Sequence, residues 1–208
     1  MTPATDPALQ RAIDALAVPG VAIGYRVISP GDELALLPEE YGAFAGSVEK
    51  VRRASGAARI VARQLMAQLG QPEKPVPKSA SGAPVWPAGL VGSLAHDSRI
   101  AVAALARRDA FPSLGIDVEP AEPLDPDLLN IVATENELER IAADPYRGRL
   151  LFAVKEAVYK LVYPIDGRFL EHHEVEVDLA GGTASVRSGR SVRFRYGLSG
   201  HILVLAFI

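Results

Sequence analysis

Apolar residues recur along the chain with two spacings, and each spacing selects a different element. Leu9, Ala12, Ile13 and Leu16 repeat at helical spacing behind Asp6 and Pro7, an N-cap followed by a first-turn proline, so a short helix is predicted there. Val21 to Val27 reads as a strand. Between Ser47 and Leu69, Val48, Val51, Ala58, Val61, Leu65 and Leu69 form a helical stripe that Gly70 stops, the clearest helix of the first half. Residues 71–92 hold five prolines together with several glycines and are predicted as an ordered loop around Trp86, the only tryptophan. Strands are predicted at Ile100–Leu105 and Leu114–Val118. Beyond a proline-rich, acidic connector from Pro120 to Pro126 come a weak helix at Glu135–Ala143 and a strong one at Arg147–Val162. Strands follow at Val175–Leu179, Thr183–Val186, Ser191–Tyr196 and His201–Ile208. Helices mixed with antiparallel-looking strands predict an α+β class. The chain also echoes itself: Gly92-Ser-Leu-Ala-His96 leads to the strand IAVAAL, and Gly197-Leu-Ser-Gly-His201 to ILVLAF. A duplicated unit with a cleft between its copies is one reading; chance similarity of core strands is the other.

Composition narrows the picture. With 49% hydrophobic and 23% charged residues, the chain suits one large globular domain or two small ones, and disorder, collagen and coiled coil are excluded. The longest apolar runs, Ile100–Ala106 and Ile202–Ile208, fall far short of the roughly 18 residues of a membrane helix. Residues 1–20 lack a basic segment leading into an apolar one, so the cytoplasm is the expected compartment. The absence of cysteine removes disulfides, thiolate metal sites and a cysteine nucleophile, leaving carboxylates, imidazoles and hydroxyls for any chemistry. The net charge of −3 hides a segregation: seven basic residues against Glu73 from Lys50 to Lys78, and nine acids against Arg140 from Asp117 to Asp144. Two solvated faces would explain this, and so would a site that holds phosphates with one block and a divalent cation with the other.

The candidate chemistry follows from spacing. Asp117 and Glu119 in Gly115-Ile-Asp-Val-Glu119 lie two apart, so on a strand both project from one side, as paired ligands for a hard cation such as Mg²⁺ or as two acids of an exposed edge. Glu156 and Lys160 stand one helical turn apart with Lys155 beside them. They read as an ordinary ion pair, or as a third carboxylate for the metal with lysines for phosphate. Arg52, Arg59 and Arg63 share one side of their helix, forming a solvated face or an anion platform. His96 is expected after a tight Gly92-Ser93 turn, bonding a loop carbonyl or a phosphate. His172 and His173 are adjacent, point apart on a strand and are not expected to bind metal. P-loop, dinucleotide-binding, zincin and hydrolase motifs do not occur.

Four segments fall in one order across residues 50–165. They are Ala58-Arg59-Ile-Val-Ala-Arg63 with Leu69-Gly70; Gly82-Ala-Pro-Val-Trp86-Pro87-Ala-Gly89-Leu-Val-Gly92-Ser93-Leu-Ala-His96; Gly115-Ile-Asp117-Val-Glu119; and Phe152-Ala-Val-Lys155-Glu156-Ala-Val-Tyr159-Lys160. Together they resemble the 4′-phosphopantetheinyl transferases, in the group similar to enterobactin-synthase component D and the actinobacterial carrier-protein activators. The resemblance implies a pseudo-twofold pair of α+β halves in one chain, divided as 1–119 and 120–208, with the site in the cleft between them. It further implies that coenzyme A binds with Mg²⁺, or with Mn²⁺ in its place. The 4′-phosphopantetheine arm then moves to a serine of an acyl or peptidyl carrier protein, and adenosine 3′,5′-bisphosphate leaves. Asp117, Glu119 and Glu156 match the metal carboxylates, and Glu156 also the base for the serine. Arg59, His96, Lys155 and Lys160 match coenzyme A phosphate contacts, with Arg52, Arg53 and Arg63 as weaker matches and Glu137 as a loosely aligned further acid. Ala95 departs from a common serine or threonine, Phe152 from a tryptophan and Asp97 from a cysteine of some relatives; the last two are expected to lie outside the chemistry. Carriers are acidic, so Arg107 and Arg108 are candidate docking residues. A monomer is expected, with neither nucleic acid nor membrane as a partner.

Overall fold

The structure is a computed structural model that describes residues 6–141 and 144–208. Helix α1 (Pro7–Ala15) starts where Asp6 accepts hydrogen bonds from the Ala8 and Leu9 amides, at 2.9 and 3.2 Å, satisfying donors that a helix N-terminus leaves unpaired. Strand β1 (Val21–Val27) follows. A 3-10 turn (Asp32–Ala35), the one-turn helix α2 (Pro38–Tyr41) and a second 3-10 turn (Gly42–Phe44), which the apolar pattern does not announce, lead into α3 (Glu49–Gln68). Next come β2 (Leu90–His96), β3 (Ile100–Arg107), β4 (Leu114–Pro120), α4 (Pro126–Val132), α5 (Glu135–Ile141) and the long α6 (Pro145–Asp166). Strands β5 (Val175–Asp178), β6 (Thr183–Val186), β7 (Ser191–Leu198) and β8 (His201–Phe207) complete the order.

The strands form two antiparallel sheets, β1-β3-β2 and β4-β8-β7-β6-β5. One face of each meets the other: Val102 and Ala104 of β3 pack with Ile116 and Val118 of β4 and Leu203 and Leu205 of β8. Helix α3 covers the outer face of the first sheet through Val61, Leu65 and Met66, and α6 that of the second through Val154, Ala157 and Leu161. The result is a four-layer α/β/β/α arrangement. Each half repeats one unit, an edge strand (β1, β4), a long helix (α3, α6) and a hairpin (β2–β3, β7–β8) whose second strand is central.

Each long helix is also tied down by the same device. Glu40, at the third position of α2, accepts from the Leu37 amide (2.9 Å), the Val76 amide (2.7 Å) and Arg63 of α3 (3.1 Å). Glu137, at the third position of α5, accepts from the Thr134 amide (2.8 Å), the Val177 amide (2.8 Å) and Lys155 of α6 (2.6 Å). Both carboxylates are buried. A charge is held there only because every oxygen is engaged.

Several expectations change. Gly92-Ser93 is not a turn but the middle of β2, where a Cβ at position 92 would stand 2.5 Å from the Ala104 carbonyl oxygen and 2.8 Å from the Trp86 ring. His172 and His173 lie in a 3-10 turn, not a strand. The strong helix runs on through Pro164 to Asp166, where Gly167 ends it at φ 64°. The weak helix spans Glu135–Ile141, and positions 142 and 143 lie outside the described residues. The strand carrying Asp117 and Glu119, grouped by sequence with residues 1–119, pairs with β8 along its length and so is built into the C-terminal sheet. Among the described residues no helix is long and apolar enough to cross a membrane.

Candidate active site

Gly115, Asp117 and Glu119 share the face of β4 that α6 covers. A Cβ on Gly115 would lie 1.8 Å from the Ala157 carbonyl oxygen, so only glycine lets the helix backbone come this close. That approach brings Lys160 to Asp117, Nζ to Oδ1 at 2.5 Å, and Arg149 to Glu119, Nη1 to Oε2 at 3.0 Å. Asp117 is only 4% exposed, and its second oxygen, Oδ2, is buried without a hydrogen-bond partner. Burial pushes the Asp117 carboxyl above the ordinary range; Lys160 opposes this and the charge of Glu156 adds to it. Burial and the charge of Asp117 likewise raise Glu119, against Arg149. Acidic oxygens held close together with little solvent are the kind of donor that suits a hard divalent cation. The donor chemistry of Asp117, Glu119 and Glu156 therefore fits such an ion, with Asp117 Oδ2 as its unengaged oxygen. Among the described residues, however, no three His, Cys, Asp or Glu side chains are gathered tightly enough to hold one. Lys160 and Arg149 pair with the acids instead, and Lys160 bonds Asp117 rather than Glu156.

His96 ends β2. Although solvent reaches its ring, the protein around it disfavours the charged form, and Lys160 and Lys78 push its pKa down further. A backbone hydrogen bond at Asp97 and the Asp97 charge oppose them. Lys78 and Lys160 are thus both within electrostatic reach of His96.

The arginine face of α3 is not an open platform. Arg59 is buried, donates from Nε to the Val76 carbonyl at 2.8 Å and lies over the Phe44 ring. Burial lowers its pKa, and neighbouring Arg63 does the same while Glu40 opposes. Arg63 pairs with Glu40 and donates to the Ala35 carbonyl at 2.8 Å. Arg53 pairs with Glu33 at 2.9 Å and with Glu49, and Arg52 donates to the Ser47 carbonyl. The physical reason is the segment 32–44, which folds back over α3; at Gly56 a Cβ would stand 1.9 Å from the Asp32 carbonyl oxygen.

Lys155 is also turned inward. Its ammonium donates to Glu137 at 2.6 Å and to the Val132 and His172 carbonyls at 2.8 and 2.9 Å, and is 1% exposed. One residue along a helix turns the side chain by about 100°, which sends Lys155 into the core and leaves Glu156 half-buried on another side. Glu137, loosely aligned in the sequence, is a structural anchor.

Two cavities flank this region. One of about 530 Å³ lies between the 81–86 loop, β2 and the end of α6, with Trp86, Ser93, Arg108, Lys160 and Tyr163 in its wall. The other, about 220 Å³, is walled by Glu156, Phe169, Leu170, His172 and Val175. Tyr159 borders both. Lys78, Arg149 and Tyr159 were not singled out from the sequence. Lys78 stands in the basic block and Tyr159 beside Lys160, but nothing in their spacing distinguishes them from solvated neighbours.

Comparison with known proteins identifies the family. Residues 39–106 match the family described as the 4′-phosphopantetheinyl transferase N-terminal domain, and residues 113–203 match the 4′-phosphopantetheinyl transferase superfamily. The chain is 39% identical over 168 residues to 4′-phosphopantetheinyl transferase Svp of Streptomyces mobaraensis, covering 76% of this chain and 68% of that protein. It is 38% identical over 161 residues to 4′-phosphopantetheinyl transferase Npt of Nocardia iowensis, covering 76% and 72%. To 4′-phosphopantetheinyl transferase PptT of Mycobacterium tuberculosis it is 39% identical over 155 residues, covering 71% and 68%.

Proposed function

Since the chain belongs to the 4′-phosphopantetheinyl transferase family and is such a transferase, we propose that it moves the 4′-phosphopantetheine arm of coenzyme A onto a serine of an acyl or peptidyl carrier protein, with Mg²⁺ or Mn²⁺, releasing adenosine 3′,5′-bisphosphate. One observation carries the reading. Asp117 is a buried carboxylate with one oxygen on Lys160 and the other unpartnered, and Lys160 and Glu156, which neighbour it on α6, each line a cavity.

Asp117, Glu119 and Glu156 would hold the divalent ion, which when bound supplies positive charge to the diphosphate and its leaving group. Lys160, whose side chain is 28% exposed, is able to leave Asp117 and meet a phosphate oxygen. His96 and Lys78 face the phosphates from the N-terminal half. Glu156 accepts the proton of the carrier serine as its oxygen attacks the phosphorus that bears the arm, and the bond to the adenosine-side phosphate breaks. A base so placed contributes on the order of 10²- to 10⁴-fold. The larger cavity receives the nucleotide end and the smaller, beside Glu156, the arm. Arg52, Arg53, Arg59, Arg63 and Lys155 support the scaffold in this reading rather than touching coenzyme A. Arg107 and Arg108, both exposed, steer an acidic carrier by an attraction that salt weakens. The enzyme acts as a cytoplasmic monomer without nucleic acid or membrane.

The test combines the protein with coenzyme A, Mg²⁺ and an apo carrier, and weighs the carrier by mass spectrometry. One added arm per carrier is expected, with an equal amount of bisphosphate, and neither in Asp117→Ala. Bisphosphate released without a carrier would make the protein a phosphohydrolase. Bound coenzyme A with no product would make it a binding module, and either result overturns the proposal.

A further inference from the structure

Asp97 and His201 form a buried pair for which the reaction above has no use. Asp97 opens the turn between β2 and β3, and its Oδ1 closes that turn by accepting from the Arg99 and Ile100 amides at 2.7 and 2.8 Å. Its Oδ2 lies 3.0 Å from Nε2 of His201, the first residue of β8, in the other sheet. His201 is 5% exposed, and its amide donates to Ser199 Oγ at 3.1 Å within the β7–β8 turn. It stands opposite Pro120 in the register of β4, one residue beyond Glu119. Burial, which raises the Asp97 carboxyl, is outweighed by His201 and the turn amides, which hold it below the usual range.

Among the described residues this is the one salt bridge that joins the N-terminal sheet and its helices to the C-terminal ones; every other lies within a half. The Glu40 and Glu137 anchors hold helices to their own halves, whereas this pair ties hairpin turn to hairpin turn across the seam. Nε2 and Oδ2 meet at 3.0 Å with little access to solvent, and a polar contact this close between two buried groups fixes their relative placement more than it adds net stability. What it fixes here is adjacent on both sides to groups of the site: His96 precedes Asp97, and Glu119 precedes Pro120.

We infer that His201 is a positioning residue that acts through Asp97, holding the β2–β3 turn, and with it His96, at a set distance from the strand that carries Asp117 and Glu119. The inference rests on the reading of His96 as a phosphate contact.

The experiment uses the full chain as His201→Phe, His201→Gln and Asp97→Asn. It measures KM for coenzyme A and kcat with an apo carrier, the His96 ring signals in a ¹H–¹⁵N spectrum, and the urea midpoint. His201→Phe and Asp97→Asn are expected to raise KM about 10- to 100-fold with kcat nearly unchanged, and to shift the His96 signals. His201→Gln keeps an N–H donor and restores most of the affinity, and the double variant is no worse than either single one. Folded His201→Phe and Asp97→Asn with parental KM and parental His96 signals overturn the inference, even if the urea midpoint falls. Should His201→Phe not fold, Asp97→Asn and His201→Gln decide by the same two readings. If the parent fails to modify any carrier, the functional reading fails separately. The His96 signals still decide the clasp: a shift supports it and parental signals sink it.

Discussion

Strands β1 and β4 occupy equivalent places in the two halves, each at a sheet edge beneath its long helix, and carry opposite charges at the matching position. Gly24 lies against Val61 and Leu65 of α3, and Gly115 against Ala157 and Leu161 of α6. Two residues further on the same face stand Arg26 and Asp117. Arg26 is closed off by Asp32, its guanidinium within 3.1 Å of both carboxylate oxygens. Asp117 gives one oxygen to Lys160 and leaves the other buried and unpartnered. The duplicated unit thus supplies the same scaffold twice, with the charge closed off in one copy and left incompletely answered in the other, where the proposed chemistry is placed.

Breaking the open member should have the largest effect. Asp117→Asn is expected to lower transfer by several kcal/mol of barrier, roughly a thousandfold, and to abolish any rise in melting temperature on adding Mg²⁺, while Arg26→Met leaves the transfer rate near the parent. Comparable rates for the two variants in the carrier mass assay would erase the contrast. The two anchors come next. Glu40→Gln and Glu137→Gln each leave a buried cation short of its partner and should cost roughly 3–5 kcal/mol in urea unfolding. Losses that differ widely would show that the halves are alike in outline only.

A smaller difference separates the glycines. At Gly24 an added Cβ meets only side chains, at 3.0 Å or more, and Gly24→Ala should cost about 1–3 kcal/mol with activity retained. At Gly115 it meets the helix backbone, so Gly115→Ala should cost more and reduce transfer as well, by moving Lys160 and Glu156 off Asp117; equal costs in a thermal melt would contradict this. The smallest effect is one of pH. Asp117 and Glu119 titrate above the ordinary carboxylate range, so the folded state holds their protons more tightly than the unfolded chain. Their contribution to stability is therefore greatest below the unfolded pKa and is lost as pH rises through the raised folded values. A cation displaces those protons, so stabilisation by Mg²⁺ should grow across the same window and flatten in Asp117→Asn. Melting curves with and without Mg²⁺ across that window check the sign.

Much of the scaffold was legible because its signals are local. The stripe of α3, the capped start of α1 and the alternation in Gly115-Ile-Asp117-Val-Glu119 rest on neighbours a few residues away, and the four ordered segments pointed to the family. Strand β2 was missed in part because Gly92 looks like a turn until Trp86 and Ala104 are brought against it. The burial of the α3 arginines is hidden from the sequence for a related reason: their spacing reports a shared face but not what covers it, and the cover, residues 32–44, carries no strong periodicity of its own. Glu40 and Glu137 each sit at the third position of a short helix, a local signal, yet their partners Arg63 and Lys155 are distant in sequence.

From its own order of residues, the chain determined most of the long elements, the α+β class, the family and which side chains could carry charge to a phosphate or a metal. Only the tertiary structure decided which of those charges are spent. Arg59, Arg63 and Lys155 are consumed by buried partners, Asp117 keeps an oxygen free, and Asp97 meets His201 across the seam. Spacing along a helix or strand fixes direction within one element, whereas desolvation and pairing depend on which other element packs against it.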